Sequence, residues 1–414
     1  MSTLIRGIGE LLTLEGAWKK SGRQIKEEDL GVISKAALLM DQGRILWVGS
    51  EKKLKSALGP LPTKQKKITK ELNLKGQTVL PGWIDAHTHL VYGGNRWEEF
   101  ELRCQGVSYQ EITSRGGGIL STMKATRSIS KNILRDISQK RVNEFIRQGV
   151  TTLEIKSGYA LDLKNEIKQL EVAQSLKGPR IITTFLGAHA KPPEFETTTD
   201  YLHFLTEKVL PLIKKKKLAS RVDIFIEKNF FEGESAKYYL SRAQELGLDV
   251  VIHADQLSLS GGTQLAVEIG AHSADHVIQL GEKEIISLAR SETVAVLLPM
   301  ADLYMKCAYP PARSLIDEGT CVALATDYNP GSCPSMDVML VGLLARLEMK
   351  MTLPEILAAW TVGAAQALRL NDTGTLQKGF RADIQVVDQD WRGLFYQAGH
   401  SYATHVFVEG KKVL

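Results

Sequence analysis

The stretch Val79-Leu80-Pro81-Gly82-Trp83-Ile84-Asp85-Ala86-His87-Thr88-His89 decides the reading of the chain. It opens as an apolar run and closes in two histidines two residues apart. Extended backbone turns residues i and i+2 to the same side. Read as one strand, the run aims both imidazoles at a single point. Two same-facing nitrogen donors at a strand end predict a metal-dependent hydrolytic centre, for which the rest of the chain must supply further donors.

Downstream of this stretch, helical patterns alternate with short apolar runs. Ala236, Tyr239, Leu240, Ala243 and Leu246 follow helical spacing and stop at Gly247, and Asp249-Val250-Val251-Ile252-His253 then reads as a strand. Buried parallel strands are continuous apolar runs. Such runs begin near residues 80, 150, 181, 221, 249, 272, 293 and 321, each followed by helical sequence. Eight strand–helix units predict a (β/α)₈ TIM-like barrel over residues 79–369. A doubly wound open sheet is the competing fold, but no Gly-x-Gly-x-x-Gly follows the first strand. The flanks differ. Ala36–Met40, a turn through Asp41-Gln42-Gly43-Arg44, and Ile45–Gly49 read as a hairpin, and the last residues are again short strands and turns. Residues 1–78 and 370–414 are therefore expected to pair into one small discontinuous β-sandwich domain, with Lys64 to Lys70 as an exposed connection.

Composition narrows the class. The 414 residues are 43% hydrophobic and 24% charged, ordinary for a globular protein, and no apolar run reaches a membrane span. The N-terminus has no charged-then-apolar signal, so a cytoplasmic location is expected. Cys104, Cys307, Cys321 and Cys333 show no Cys-x-x-Cys spacing, which argues against a zinc knuckle or a disulfide framework. Within the net charge of +5, Lys214–Lys217 read as a solvated helix end, and no aromatic interleaving suggests nucleic acid.

In a barrel of this kind, chemistry sits at the C-terminal strand ends. Those ends carry His87 and His89, then Lys156 leading into Ser157-Gly158-Tyr159, then His189, His253 with Gln256 close behind, His276, and Asp327. A lone histidine is more often a packed core residue than a ligand. Five of the nine histidines on one rim is not a pattern that packing alone produces. Nitrogen donors with one carboxylate suit zinc or another first-row metal. His87, His89, His253 and Asp327 are the expected ligands, with water completing the shell. Such an ion lowers the pKa of bound water from about 15.7 to about 7. His276 is the expected stabiliser of the developing oxyanion, and Asp327 the expected carrier of the water proton. The catalytic set is thus Asp327, His276 and His253.

These residues carry a resemblance. Pro81-Gly82-Trp83-Ile84-Asp85-Ala86-His87-Thr88-His89 resembles the signature of the amidohydrolase superfamily. Its continuation to Gly93-Gly94-Asn95-Arg96 is similar to the imidazolonepropionase family. So are Gly116-Gly117-Gly118-Ile119, Lys156-Ser157-Gly158-Tyr159, Phe185-Leu186-Gly187-Ala188-His189, His253-Ala254-Asp255-Gln256, Ser273-Ala274-Asp275-His276 and Thr326-Asp327-Tyr328-Asn329-Pro330-Gly331-Ser332. The resemblance implies hydrolysis of the ring amide of 4-imidazolone-5-propanoate to N-formimidoyl-L-glutamate in histidine degradation, with one zinc or iron ion per chain. It implies the same four ligands, and substrate contacts at Arg96, Tyr159, His189, Gln256, Asn329, Gly331 and Ser332. It also implies a homodimer. The alternative within enzymes is a related amidohydrolase or deaminase acting on another small nitrogen heterocycle. A non-catalytic barrel is a third reading, and such a barrel would be expected to lose ligands that this chain keeps.

The residue types suit an acidic ring substrate. Arg96 can pair bidentately with a propionate carboxylate; the alternative is a surface ion pair. Tyr159 and His189 offer hydrogen bonds to ring nitrogen and oxygen, or structural bonds in Tyr159's case. Asn329 to Ser332 read equally as a carboxylate-binding loop or a plain turn. Gly116–Gly118 read as a flap, an anion loop or a tight turn. Gln256 departs from a version of the family pattern that has glutamate here; glutamine can hydrogen-bond the ring but not shuttle a proton. With a full ligand set assigned elsewhere, Lys156 is expected to be an ordinary lysine rather than a carboxylated bridge between two metals.

Overall fold

The computed structural model describes residues 2–59, 68–107, 111–112 and 116–414. The chain starts with β1 (Ser2–Leu12), β2 (Val32–Asp41), β3 (Arg44–Ser50), β4 (Ile68–Asn73) and β5 (Thr78–Pro81). β2 and β3 form the expected hairpin, with Asp41 opposite Arg44. Its two central residues, Gln42 and Gly43, have φ 48° and 79°. A two-residue turn with both φ positive matches the strand twist, and glycine takes the second position without strain. Of the lysine-rich connection, Lys64–Lys67 lie outside the described residues. Ile68 to Lys70 instead begin β4, which pairs parallel to β1.

The barrel strands follow: β6 (Trp83–Asp85), β7 (Val150–Lys156), β8 (Arg180–Ala188), β9 (Arg221–Ile226), β10 (Asp249–Ala254), β11 (Ser273–His276), β12 (Val294–Leu297) and β13 (Val322–Leu324). All neighbours are parallel and consecutive. The ring is joined between its first and last strands just beyond their ends. Asp327 N–H donates to the His87 carbonyl at 3.1 Å and His89 N–H to the Tyr328 carbonyl at 2.9 Å. Asp85 reinforces this seam, accepting the Thr326 hydroxyl at 2.6 Å. Helix Gly233–Glu245 buries Ala236, Tyr239, Leu240 and Ala243, the face its spacing predicts. Lys214 to Lys217 are exposed where helix Leu210–Lys215 ends. No described helix is long and apolar enough to cross a membrane.

The chain returns through β14 (Ile384–Val387), β15 (Ala403–Val408) and β16 (Lys411–Lys412), all in one mixed sheet with β1–β5. The expected sandwich takes the form of this single sheet wrapped about its own core, which includes Ile5, Ile8, Leu38, Val79, Ile384 and Phe407. β5 belongs to it, pairing antiparallel with β14. Residues 79–89 are therefore not one strand, as the apolar run suggests. Gly82 N–H bonds Asp383 O in the terminal sheet and Trp83 N–H bonds Gly149 O in the barrel, each at 3.0 Å. The crossing is tight: a Cβ on Gly82 would fall 2.1 Å from the Thr151 side chain.

Candidate metal centre and substrate pocket

His87 and His89 extend past β6 and still face the same point, their Nε2 atoms 3.3 Å apart. His253, near the end of β10, brings its Nε2 to 3.4 Å from that of His89. Asp327 Oδ1 lies 3.5 Å from the Nε2 of both His87 and His89. Donors around one ion at about 2.0–2.1 Å in tetrahedral array stand about 3.4 Å from one another. Four of the six separations among these atoms fall near that spacing, and the buried donors form two overlapping groups, His87 with His89 and Asp327, and His87 with His253 and His276. Burial pushes the imidazoles of His87 and His89 well below their ordinary pKa and the carboxyl of Asp327 well above its own. Neutral imidazoles are the form that binds metal.

Carboxylates behind the imidazoles fix their orientation. His87 Nδ1 meets Asp275 Oδ2 at 2.6 Å, and His253 Nδ1 meets Asp223 Oδ1 at 3.0 Å. A carboxylate that accepts Nδ1–H leaves the Nε2 lone pair free for an ion. Two such lone pairs converging inside a buried cluster repel unless a cation lies between them, so the donors fit a divalent metal. Asp223 and Asp275 were not singled out from sequence. The available signal was a carboxylate inside an apolar, inward-facing strand, which needs a partner to be buried at all.

Lys156 lies beneath these groups, with Nζ 2.8 Å from Asp223 and 3.0 Å from Glu154. Burial opposes its charge, but Asp223 and Glu154 more than compensate and hold its pKa above the ordinary lysine value. A carbamate here would add an anion among anions, so the ordinary lysine expected from sequence suits the surroundings. His276, at the end of β11, lies 5.3 Å from His253 and 5.6 Å from His87, ring to ring. Its Nδ1 is buried without a hydrogen-bond partner among the described residues. His276, Val277 and Asp327 have φ of 76°, 47° and 53°. Non-glycine residues held in this region cost about 1–3 kcal/mol each and cluster at functional sites.

Above the donors opens a cavity of about 280 Å³. His89, His253, His276 and Asp327 contribute to its floor, and Arg96, Tyr159, His189, Gln256, Asn329 and Ser332 to its walls. The His189 ring stacks on His89 at 5.2 Å, its Nδ1 is 3.0 Å from Gly158 O, and burial pulls its pKa down to about 3. Arg96 is 7% exposed, and its Nε donates to Thr122 Oγ1 at 2.8 Å. Its Nη2 is buried with no partner among the described residues.

The sequence profile of the Amidohydrolase family matches residues 78–413. The chain is 56% identical to an imidazolonepropionase of Bdellovibrio bacteriovorus, over 100% of this chain and 97% of that one. The chain belongs to the imidazolonepropionase family. It is also 38% identical to an imidazolonepropionase of Porphyromonas gingivalis, again over 100% and 97%. Among solved structures, a triazine hydrolase from Arthrobacter aurescens matches with TM-score 0.74 at 17% identity, over 100% of this chain and 94% of that one. An adenosine deaminase from Xanthomonas campestris with bound zinc gives 0.73 at 18%, over 100% and 92%. At such identities these two speak for the fold.

At two parts of this imidazolonepropionase-family site the structure favours the turn among the alternatives the sequence leaves open. The Asn329 amide is committed within its own loop. Its Oδ1 accepts from Gly331 N and Ser332 N at 2.8 Å each, and its Nδ2 donates to Asp327 O at 2.7 Å. Asn329 therefore shapes a turn behind Asp327, and Gly331 lies against Arg96: a Cβ there would fall 2.1 Å from Nη1. Gly116–Gly118 lead into helix Ile119–Ser128, and Gly118 N–H is already taken by Glu99 Oε1 at 3.1 Å. That is a turn held by an internal anion. The apolar wall of Phe225, Phe230 and Met305 carries no sequence signal, because isolated apolar residues from a strand end, a loop and a helix end form no pattern.

Proposed function

We propose that this chain hydrolyses the ring amide of 4-imidazolone-5-propanoate to N-formimidoyl-L-glutamate, using one zinc or iron ion held by His87, His89, His253 and Asp327. The observation that carries the substrate is Arg96. A buried guanidinium nitrogen with no hydrogen-bond partner among the described residues, facing the same cavity as the donors, asks for an anion, and a propionate supplies one with bidentate geometry. A neutral heterocycle would leave that group unpaired.

A metal ion held by these residues would supply Lewis-acid polarisation of the ring carbonyl and lower the pKa of water at the site toward neutrality. Asp327 takes the proton of the attacking water. As the ring C–N bond breaks, the same carboxyl returns that proton to the departing nitrogen. His276 hydrogen-bonds the oxygen that gains charge. With Nδ1–H given to the Gly158 carbonyl, His189 presents Nε2 as an acceptor for a ring N–H. Tyr159 and the Gln256 amide complete the hold on the ring. Asn329, Gly331 and Ser332 back Arg96 and narrow the carboxylate end. We assign residues 82–369 to the catalytic unit and 1–81 with 370–414 to its β-domain, moving the expected boundary to the Gly82 crossing. The partners are the small substrate and water, in a cytoplasmic homodimer.

The test is a coupled assay in which urocanase generates the unstable imidazolone in place and its ultraviolet absorbance is followed. Metal-loaded protein should speed the decay. A rate equal to that without protein would overturn the proposal.

A further inference from the structure

Lys156 Nζ lies 3.0 Å from Glu154 Oε1, 2.8 Å from Asp223 Oδ2 and 3.7 Å from Asp275 Oδ2, with its side chain 1% exposed. Each of these carboxylates also engages the donor set. Asp275 uses the same Oδ2 to hold His87 Nδ1. Both oxygens of Asp223 lie 3.0 Å from His253 Nδ1. Glu154 Oε2 accepts the Thr88 N–H at 3.1 Å, and the Thr88 hydroxyl donates to the Glu154 carbonyl at 2.6 Å. Thr88 separates His87 from His89, so Glu154 fixes the backbone on which both imidazoles hang. The Lys156 N–H donates to Thr88 O at 2.9 Å from the same strand. The supports of all three imidazole donors thus meet at one ammonium.

We propose that Lys156 is the positioning residue of the metal centre: a fixed buried cation that orients His87, His89 and His253 through Asp275, Glu154 and Asp223, and so sets metal affinity. The inference rests on the metal-site reading above. Three buried carboxylates this close repel one another. Without the cation they must turn apart or take up protons, and either response weakens their grip on Nδ1–H and on Thr88. A residue that acted only on packing would lower stability and leave the donors aligned.

Zinc affinity of protein stripped of metal with a chelator separates these roles, measured by competition with a chromogenic chelator. Lys156→Met should weaken zinc binding by about 10–100-fold, the usual effect of losing a group behind a ligand. In the same samples, the ¹⁵N-coupled Nδ1–H resonances of His87 and His253 should shift or broaden. A Kd within twofold of the parent, with only the unfolding midpoint lowered, would overturn the proposal. If Lys156→Met does not fold, Glu154→Gln serves instead. It keeps the lysine paired with two carboxylates and should weaken zinc severalfold; an unchanged Kd there is equally fatal. Failure of the parent chain itself to take up either zinc or ferrous iron would instead remove the metal-site reading on which the inference stands.

Discussion

Two buried cations, Lys156 below the donors and Arg96 at the pocket wall, are 1% and 7% exposed and yet are opposites. Lys156 is saturated, with three carboxylates within 4 Å. Among the described residues Arg96 has one side-chain hydrogen-bond partner, Thr122, a carboxylate no nearer than 4.0 Å at Glu99, and a buried nitrogen left over. A saturated buried charge is part of the scaffold. An unsaturated one beside a cavity is a demand on whatever enters, because leaving it unpaired is costly. Under the proposed function, the contrast divides the site into a base that holds the metal donors and a mouth that selects the substrate.

Substitutions should respect that division. The largest effect is expected at the base: Asp327→Ala should abolish turnover and lower bound metal in elemental analysis, and full activity in that variant would dissolve the distinction. At the mouth, Arg96→Ala should raise KM by about 10–100-fold, the equivalent of a charged hydrogen bond of about 1.5–3 kcal/mol, with zinc affinity unchanged. Steady-state kinetics beside metal titration read both, and an unaltered KM would contradict the carboxylate role. Gly331→Ala places a methyl against the guanidinium; it should raise KM severalfold by displacing Arg96, and a crystal structure should show the shift. Thr122→Val removes only the Nε contact and should raise KM by about fivefold, near 1 kcal/mol. Gly43→Ala, in the distant hairpin turn, should lower stability by about 1–2 kcal/mol in denaturant unfolding while leaving both constants alone.

The same division explains what could be read from sequence. The eight strands were legible because parallel strands covered on both faces are continuous apolar runs. The donors were legible because histidine is scarce and these recur at strand ends. The first strand was misjudged because apolar sequence continues unbroken through Gly82, while the backbone there leaves one sheet for another. Asp223, Asp275 and Glu154 were missed because their meaning lies in contacts between strands far apart in the chain. Asn329 was legible as a polar loop residue, but no pattern shows that its amide is spent on the turn itself. The base of the site is tertiary in origin, whereas Arg96 announced itself by following the histidine pair directly.

The seam of the barrel carries a consequence for assembly. Asp85 and Thr326, which clasp it, are 241 residues apart in the chain, and the two ligand-bearing segments are the ones that bridge the first and last strands. The coordination shell therefore does not exist until every intervening strand has been laid down and the ring has shut. With the proposed ligand set, metal capture would be a late event in the life of the polypeptide, and a check on it, since only a correctly closed chain presents all four donors at once. An ion held there would rivet the seam. Amide hydrogen exchange between β6 and β13 should slow on loading more than anywhere else in the molecule.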